Sequence, residues 1–207
     1  VSGVAYPQLG VVLLAIPPTD EAVLAMQRDI PHEMTHEVLY AVLGRQGYIS
    51  LPTWLSEGLA THFQLRPTPE YERLLAEASE DGALIPLTEL CLPFPEDHLQ
   101  ALLAYAQSAS LVTYIRQHHG WSRIRSLLES YADGMSCNSG TEQALGIDLN
   151  QLDRAWRMWL EQADAPPSTF EQAGTSAKLF LRDTSPWIVL FGMLLLPAIL
   201  ATVVERK

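Results

Sequence analysis

Cysteine is scarce in this 207-residue sequence: Cys91 and Cys137 are the two present, and neither belongs to a C-x-x-C pair. A zinc site built from cysteine thiolates is therefore not expected. The two residues could form a disulfide if the domain is exported, or they could remain unpaired buried thiols. The sequence leaves both alternatives open, because it does not show whether the thiols are close in space.

Positive charge is also scarce. Lys and Arg number 13 against 24 Asp and Glu, the formal net charge is −11, and no run of basic residues stands out. This composition argues against nucleic acid as a partner. No basic segment followed by an apolar segment lies near Val1, so no signal peptide is visible, and a first residue other than Met fits a fragment or a processed product.

The most informative pattern is His32-Glu33-Met34-Thr35-His36, which reads H-E-x-x-H where a helix is predicted. Two histidines four residues apart lie on one face of a helix, so their imidazoles can meet at one metal ion. Glu33 can reach a water at that metal. The spacing indicates metal-assisted hydrolysis, most often of a peptide bond. Two surface histidines on an amphipathic helix are the alternative.

A second pattern supplies a third ligand, Glu57, in Trp54-Leu55-Ser56-Glu57-Gly58-Leu59-Ala60. Hydrolytic zinc sites use three protein ligands and keep one position open, and two histidines with one glutamate complete that set. Together the two patterns, H-E-x-x-H and W-L-x-E-G-x-A, resemble the gluzincin zinc metallopeptidases. Within them the likeness is greatest to the peptidase MA-like group, over about residues 3–160.

The resemblance implies that His32, His36 and Glu57 hold Zn²⁺ and that Glu33 is the general base. A metal-activated water would then hydrolyse a peptide or protein substrate. The sequence departs from the family at one position, because thermolysin-like members have an aspartate four residues after the ligand glutamate, where this chain has Thr61. The usual outer support of the ligands is therefore in question at this position.

Amide hydrolysis passes through a tetrahedral oxyanion, which a hydrogen-bond donor can stabilise. In the aminopeptidase-like gluzincins a tyrosine beyond the second motif has this role, and the resemblance points to Tyr105 here. A tyrosine packed in the core is the alternative, and Tyr114 is a weaker candidate for the same role. His62 is not predicted to be a ligand, because it lies on a different side of its helix from Glu57.

The predicted fold is α+β and mostly helical, with a zincin-like domain over residues 1–164 whose small N-terminal sheet the resemblance implies to be truncated. Residues 9–16 are predicted to form a buried strand, which could be a plain core strand or an edge that binds substrate. In the metal helix Ile30, Met34 and Val38 recur every four residues, which predicts a core face beside the ligand face.

Capping residues, proline and glycine predict the helix ends. The predicted helices cover about residues 19–28, 31–43, 68–81, 96–119, 121–131, 141–145 and 148–161, with a further helix that begins at Pro52 and carries Glu57. A proline-rich loop is predicted over residues 85–95.

Residues 187–204 form an uncharged run of 18 residues. As a helix this run would span about 27 Å, close to the hydrocarbon thickness of a thin bilayer. We expect a single-pass transmembrane helix, joined by a linker over residues 165–186 to a catalytic domain on the extracytoplasmic side. A buried core helix is the alternative. Basic residues lie on both sides of the run and specify its orientation only weakly.

These features together indicate a membrane-anchored zinc peptidase. A membrane-tethered binding domain that keeps zinc as a structural staple is the alternative from a different class. A zinc hydrolase that acts on a non-peptide bond is a third hypothesis.

Overall fold

Seven helices and one hairpin make up the regular structure of residues 3–162, which are the residues that this computed structural model describes. The strands are β1 (Gly3–Tyr6) and β2 (Val11–Leu14). The helices are α1 (Ala22–Ile49), α2 (Thr53–His62), α3 (Pro69–Glu80), α4 (Leu87–Leu90), α5 (His98–Ala132), α6 (Cys137–Leu145) and α7 (Leu149–Gln162). The prediction of a mostly helical α+β domain is confirmed.

Within residues 3–162, none of the helices combines the length and the apolar character that crossing a bilayer requires. The predicted linker over residues 165–186 and the predicted transmembrane helix over residues 187–204 lie outside the described residues.

The N-terminal sheet is an antiparallel hairpin in which Gly3 of β1 lies opposite Leu14 of β2. The prediction of a single buried strand over residues 9–16 was wrong in extent and in burial. Val11 and Leu13 are 40% and 55% exposed, because alternate side chains of a sheet with one covered face point outward. The first strand was missed, since four residues carry too little periodicity to mark it.

Helix α1 turns its polar side inward. The predicted core face was wrong, because Ile30, Met34 and Val38 are 40%, 48% and 55% exposed. The buried side instead carries a group of polar side chains: Asp29, His32, Glu33 and His36. A helical period locates an apolar stripe, but it does not decide which stripe faces the domain when a polar site takes the interior position.

Met34 and Val38 of the exposed stripe line an open apolar groove of about 510 Å³. Phe63 and Trp121 also line this groove, and their rings stack with centroids 5.7 Å apart and planes 9° apart.

Glycines interrupt both long helices where the sequence predicts a helix end. Gly44 in α1 has φ 69° and ψ 173°, and Gly120 in α5 has φ 78° and ψ 169°. The chain resumes a helical path after each break. Pro31 lies inside α1 and does not begin a separate helix, in contrast to the prediction.

The core lies between α2 and α5, with α7 packed against α5. Trp54, Leu55 and Leu111 are at most 1% exposed. Trp156 of α7 is equally buried, and its Nε1–H donates to Ser110 Oγ of α5 at 3.1 Å.

A disulfide joins Cys91, directly after α4, to Cys137, the first residue of α6, with the Cα atoms 6.3 Å apart. The two cysteines are therefore paired. The Cys91 carbonyl also accepts the backbone N–H of Thr53 at 3.5 Å, where α2 begins. The predicted loop over residues 85–95 contains the short helix α4, because Leu87 and Leu90 are buried in the core.

The C-terminal end of α2 is held to α5 by His62. Its Nδ1–H donates to Thr113 Oγ1 at 3.2 Å, because that hydroxyl itself donates to the Ala109 carbonyl at 3.0 Å. Burial, and then the positive charge of Arg116, lower the pKa of His62 to about 4. The imidazole is therefore neutral in the folded protein at neutral pH.

We expect loss of the disulfide to destabilise the domain. Its cysteines are 46 residues apart in sequence, and closing a loop of that length restricts the unfolded chain by an amount worth about 4 kcal/mol in the chain-entropy model. The double variant C91S/C137S should lose about 2–4 kcal/mol of unfolding free energy in urea denaturation. Reductant should bring the wild-type midpoint to that of the variant, and an unchanged midpoint in both arms would contradict the pairing.

We expect His62 to make stability depend on pH. Its folded pKa of about 4 lies below the unfolded value of 6.5, so the unfolded chain binds the proton more tightly. The contribution of His62 is complete above pH 6.5 and is lost as the pH falls toward 4. Between pH 7 and pH 5 the wild type should lose roughly 1–2 kcal/mol more than H62Q, measured by urea denaturation with a chelator present. Equal losses would show that His62 is not held neutral.

Candidate metal centre

His32 and His36 lie one turn apart on the buried side of α1, where their ring centroids are 5.1 Å apart and the residues are 2% and 6% exposed. Both Nε2 atoms face Glu57 of α2. His32 Nε2 is 3.3 Å from Glu57 Oε2, and His36 Nε2 is 3.6 Å from Glu57 Oε1. The structure therefore brings together the three residues that the sequence singles out as metal ligands.

Glu57 is placed by the close crossing of α2 over α5. A Cβ added to the next residue, Gly58, would lie 2.6 Å from the Ser108 carbonyl oxygen of α5. That separation is shorter than real Cβ contacts, and backbone cannot yield as a flexible side chain can. Glycine at position 58 thus allows α2 to lie deep enough for the Glu57 carboxylate to meet the histidines.

The donor set fits a zinc ion. One nitrogen of each histidine and one oxygen of Glu57 lie within 4.8 Å of one another. Two imidazoles and one carboxylate are a ligand set that zinc uses in hydrolytic sites. Burial alone would raise the pKa of Glu57, but its hydrogen bonds with the two imidazoles outweigh burial and lower it to about 2. Glu57 is therefore an anion over the whole physiological range.

His36 responds to the same pairing. Burial alone would lower the pKa of His36, but its hydrogen bond with Glu57 and the negative charge of that carboxylate raise it. A metal ion binds the neutral imidazole, so protonation of His36 competes with metal binding at this site.

Glu33 lies under the hairpin and is 3% exposed. A Cβ on Gly3 of β1 would lie 2.9 Å from Glu33 Cγ, so the strand packs directly on this side chain. The Ala5 backbone N–H donates to the carboxylate. Burial raises the pKa of Glu33 and the charge of Glu57 adds to that, while His32 and His36 oppose it. A carboxylate with a raised pKa accepts a proton more readily than an exposed one.

The second nitrogen of each histidine has a partner that the sequence analysis missed. The Gln64 side-chain amide lies 3.2 Å from His32 Nδ1, and the Tyr48 hydroxyl lies 3.2 Å from His36 Nδ1. The hydroxyl of Thr61, at the position where thermolysin-like members have an aspartate, has no hydrogen-bond partner among the described residues. The orienting groups on the imidazoles are therefore neutral ones from elsewhere in the chain.

Tyr105 of α5 lies beside the three ligands. Its ring centroid is 6.2 Å from that of His32, and its hydroxyl is within hydrogen-bonding reach of the Glu57 carboxylate. Burial, and then the charge of Glu57, raise the pKa of Tyr105, so the hydroxyl keeps its proton and can donate. Tyr114 is in a different environment, because its ring contacts those of His118 and Trp159.

One feature of the sequence could have pointed to Gln64, a polar and uncharged residue three positions after Thr61 and just beyond the end of α2. No local signal points to Tyr48, since its reach to His36 depends on the break at Gly44. The sequence likewise did not predict that β1 packs on Glu33, because Gly3 and Ala5 make these contacts through backbone atoms, which the pattern of side chains does not reveal.

A comparison with family models matches residues 1–162 to the peptidase MA superfamily. Comparisons with curated proteins and with solved structures gave no significant match. The family match covers the described domain, with both strands and all seven of its helices. This chain belongs to the peptidase MA superfamily.

Proposed function

We propose that this chain is a zinc-dependent peptidase of the gluzincin type. The observation that carries the proposal is the convergence of His32, His36 and Glu57 on one point, beside the buried Glu33 carboxylate. The superfamily match supports peptide-bond hydrolysis as the reaction class. His32, His36 and Glu57 would hold the ion, which when bound supplies Lewis acidity toward water and carbonyl oxygen.

Two side chains of the protein carry out the proton transfer and the stabilisation of the oxyanion. Glu33 accepts a proton from the attacking water and delivers it to the nitrogen of the departing amine. The Tyr105 hydroxyl donates a hydrogen bond to the substrate carbonyl oxygen as negative charge develops on it. Burial of the site keeps bulk water from competing for these hydrogen bonds.

The hairpin is suited to hold an extended substrate. It has two strands, and in the described residues each strand pairs on one side only. An extended peptide can add to such an edge through main-chain hydrogen bonds. Because Gly3 of β1 rests on Glu33, a peptide added beside this strand would lie close to the general base.

Glu33 also separates the peptidase from the alternative of a binding domain with structural zinc. A structural zinc site needs only the three ligands, whereas burying a further carboxylate that is not a ligand, as Glu33 is here, costs free energy. The raised pKa of Glu33, caused first by burial, is typical of groups that transfer protons in active sites.

Residues 187–204 would anchor the enzyme in a membrane with the catalytic domain on the extracytoplasmic side. Two observations support this placement: the uncharged run itself and the bond between Cys91 and Cys137. Disulfides persist in oxidising compartments and are rare in the cytosol.

The decisive experiment is Glu33→Gln. The amide keeps the shape of the side chain but cannot accept a proton, so we expect zinc content and affinity near those of the wild type and a loss of about 10²–10⁴-fold in peptide cleavage. Cleavage of a peptide library by the wild type should stop when a chelator removes the metal. H36A and E57A are the controls that should lose zinc.

Two outcomes would contradict the proposal. Cleavage by E33Q at the wild-type rate would remove the general base from the mechanism. One equivalent of tightly bound zinc without chelator-sensitive cleavage would favour the binding domain.

We expect Tyr105→Phe to slow catalysis without affecting zinc. Phenylalanine keeps the edge contact with Phe94, whose centroid is 5.1 Å from that of Tyr105, and removes the hydroxyl alone. Loss of one oxyanion donor costs about 10²–10³-fold in kcat. The matched control is Y114F, which should keep full activity, and equal rates for both variants would show that Tyr105 only packs.

A further inference from the structure

Tyr48 contacts a residue of its own helix that a continuous helix would hold far away. Its hydroxyl lies 3.2 Å from His36 Nδ1 although the two residues are 12 positions apart in the chain. In an unbroken helix 12 positions correspond to a rise of about 18 Å. The ring centroids of His36 and Tyr48 are nevertheless 6.3 Å apart, so the chain must fold back between them.

Gly44 makes that return. Its φ of 69° and ψ of 173° lie in a region that is essentially restricted to glycine. No atom lies within 4 Å of a Cβ built at Gly44, so the backbone conformation, and not crowding, requires glycine here. The break therefore has no packing explanation at Gly44 itself.

The returning segment is fixed at two further points. A Cβ added to Gly47 would lie 3.0 Å from Ala132 Cβ, so the segment packs closely on the end of α5. The Tyr48 ring meets the Tyr40 ring edge-on, with centroids 5.7 Å apart and planes 71° apart. The first contact fixes the backbone beside Tyr48 and the second restricts its ring, whose hydroxyl lies against His36.

We propose that Tyr48 is a positioning residue of the metal centre, and that the break at Gly44 serves to place its hydroxyl on His36. This rests on the proposed zinc function. An imidazole that binds metal through Nε2 carries its proton on Nδ1, which needs an acceptor. With a metal on Nε2, the Tyr48 oxygen would accept that proton, and its position 3.2 Å from Nδ1 holds the ring in the orientation in which Nε2 faces Glu57.

The acceptor is neutral, which has a chemical consequence. A carboxylate at this place would add negative charge and make the imidazole a stronger donor to the metal. A phenol oxygen orients the ring with less of that effect. Tyr48 thus fixes geometry while leaving more positive charge on the ion to act on substrate.

The test compares Y48F with Y40F in the full chain. Both substitutions remove one hydroxyl and keep the ring contact between the two tyrosines. We expect Y48F to bind zinc about 10-fold to 100-fold more weakly than the wild type in competition with a chromogenic chelator, and to change the visible absorption of the cobalt-substituted protein. Y40F should match the wild type in both measurements. Thermal unfolding of the zinc-free proteins should be alike, which separates positioning from a loss of stability.

The role of the break is tested with Gly44→Ala and the double variant G44A/Y48F. If the break serves Tyr48, then G44A should weaken zinc binding by itself, and Y48F should have less than about a twofold further effect in that background, because coupled residues are not additive. Independent, multiplied effects would overturn the role of the break. A G44A variant that fails to fold, as judged by circular dichroism, would assign the break to folding and overturn its specific role for Tyr48, and Y48F and Y40F would then decide the role of Tyr48.

The possible failures are distinguishable. A wild type that binds no zinc overturns both the proposed function and the role of Tyr48. A wild type that binds zinc and cleaves peptides, with Y48F equal to it in affinity and in cobalt spectrum, overturns the role of Tyr48 alone.

Discussion

The close crossing of α2 over α5 at Gly58 is the contact on which the whole site depends. At this crossing α2 lies backbone against backbone on α5, and the residue before Gly58 is Glu57, whose carboxylate meets the two imidazoles of α1. From this position on α5, the Glu57 carboxylate of α2 lies 3.3 and 3.6 Å from the two Nε2 atoms of α1. The contacts of Glu33, Gln64, Tyr48 and Tyr105 add to a geometry that the helix crossing has already set.

Burial of the site determines how α1 is oriented. Four ionisable side chains, Asp29, His32, Glu33 and His36, occupy its inner side. Such groups are tolerated in the interior when they are paired, and the imidazoles are paired with Glu57. Since the helix has only one inner side, its apolar stripe is left outside, where it lines the groove beside Phe63 and Trp121.

The sequence predicted what local spacing determines. Two histidines four apart, a glutamate in a recognisable helical motif, and helix ends at Gly44, Pro52 and Asp81 are properties of short segments. It did not predict which face of α1 is buried, because the spacing of apolar residues does not show which other elements of the fold pack against the helix. It also missed Gln64, Tyr48 and β1, whose contacts with the site come from folding back over long distances or from backbone atoms.

Gly58 and Gly44 are required for different reasons, and a residue of opposite chirality would distinguish the two reasons. At position 58 a larger residue is excluded by steric clash, since a neighbouring carbonyl occupies the space where a side chain would begin. At position 44 other L-residues are excluded by their chirality. The φ of 69° and ψ of 173° are unfavourable for them but are an ordinary extended conformation for a D-amino acid. A D-alanine introduced by chemical synthesis would therefore suit position 44 and remain unacceptable at position 58, where the backbone is right-handed helix.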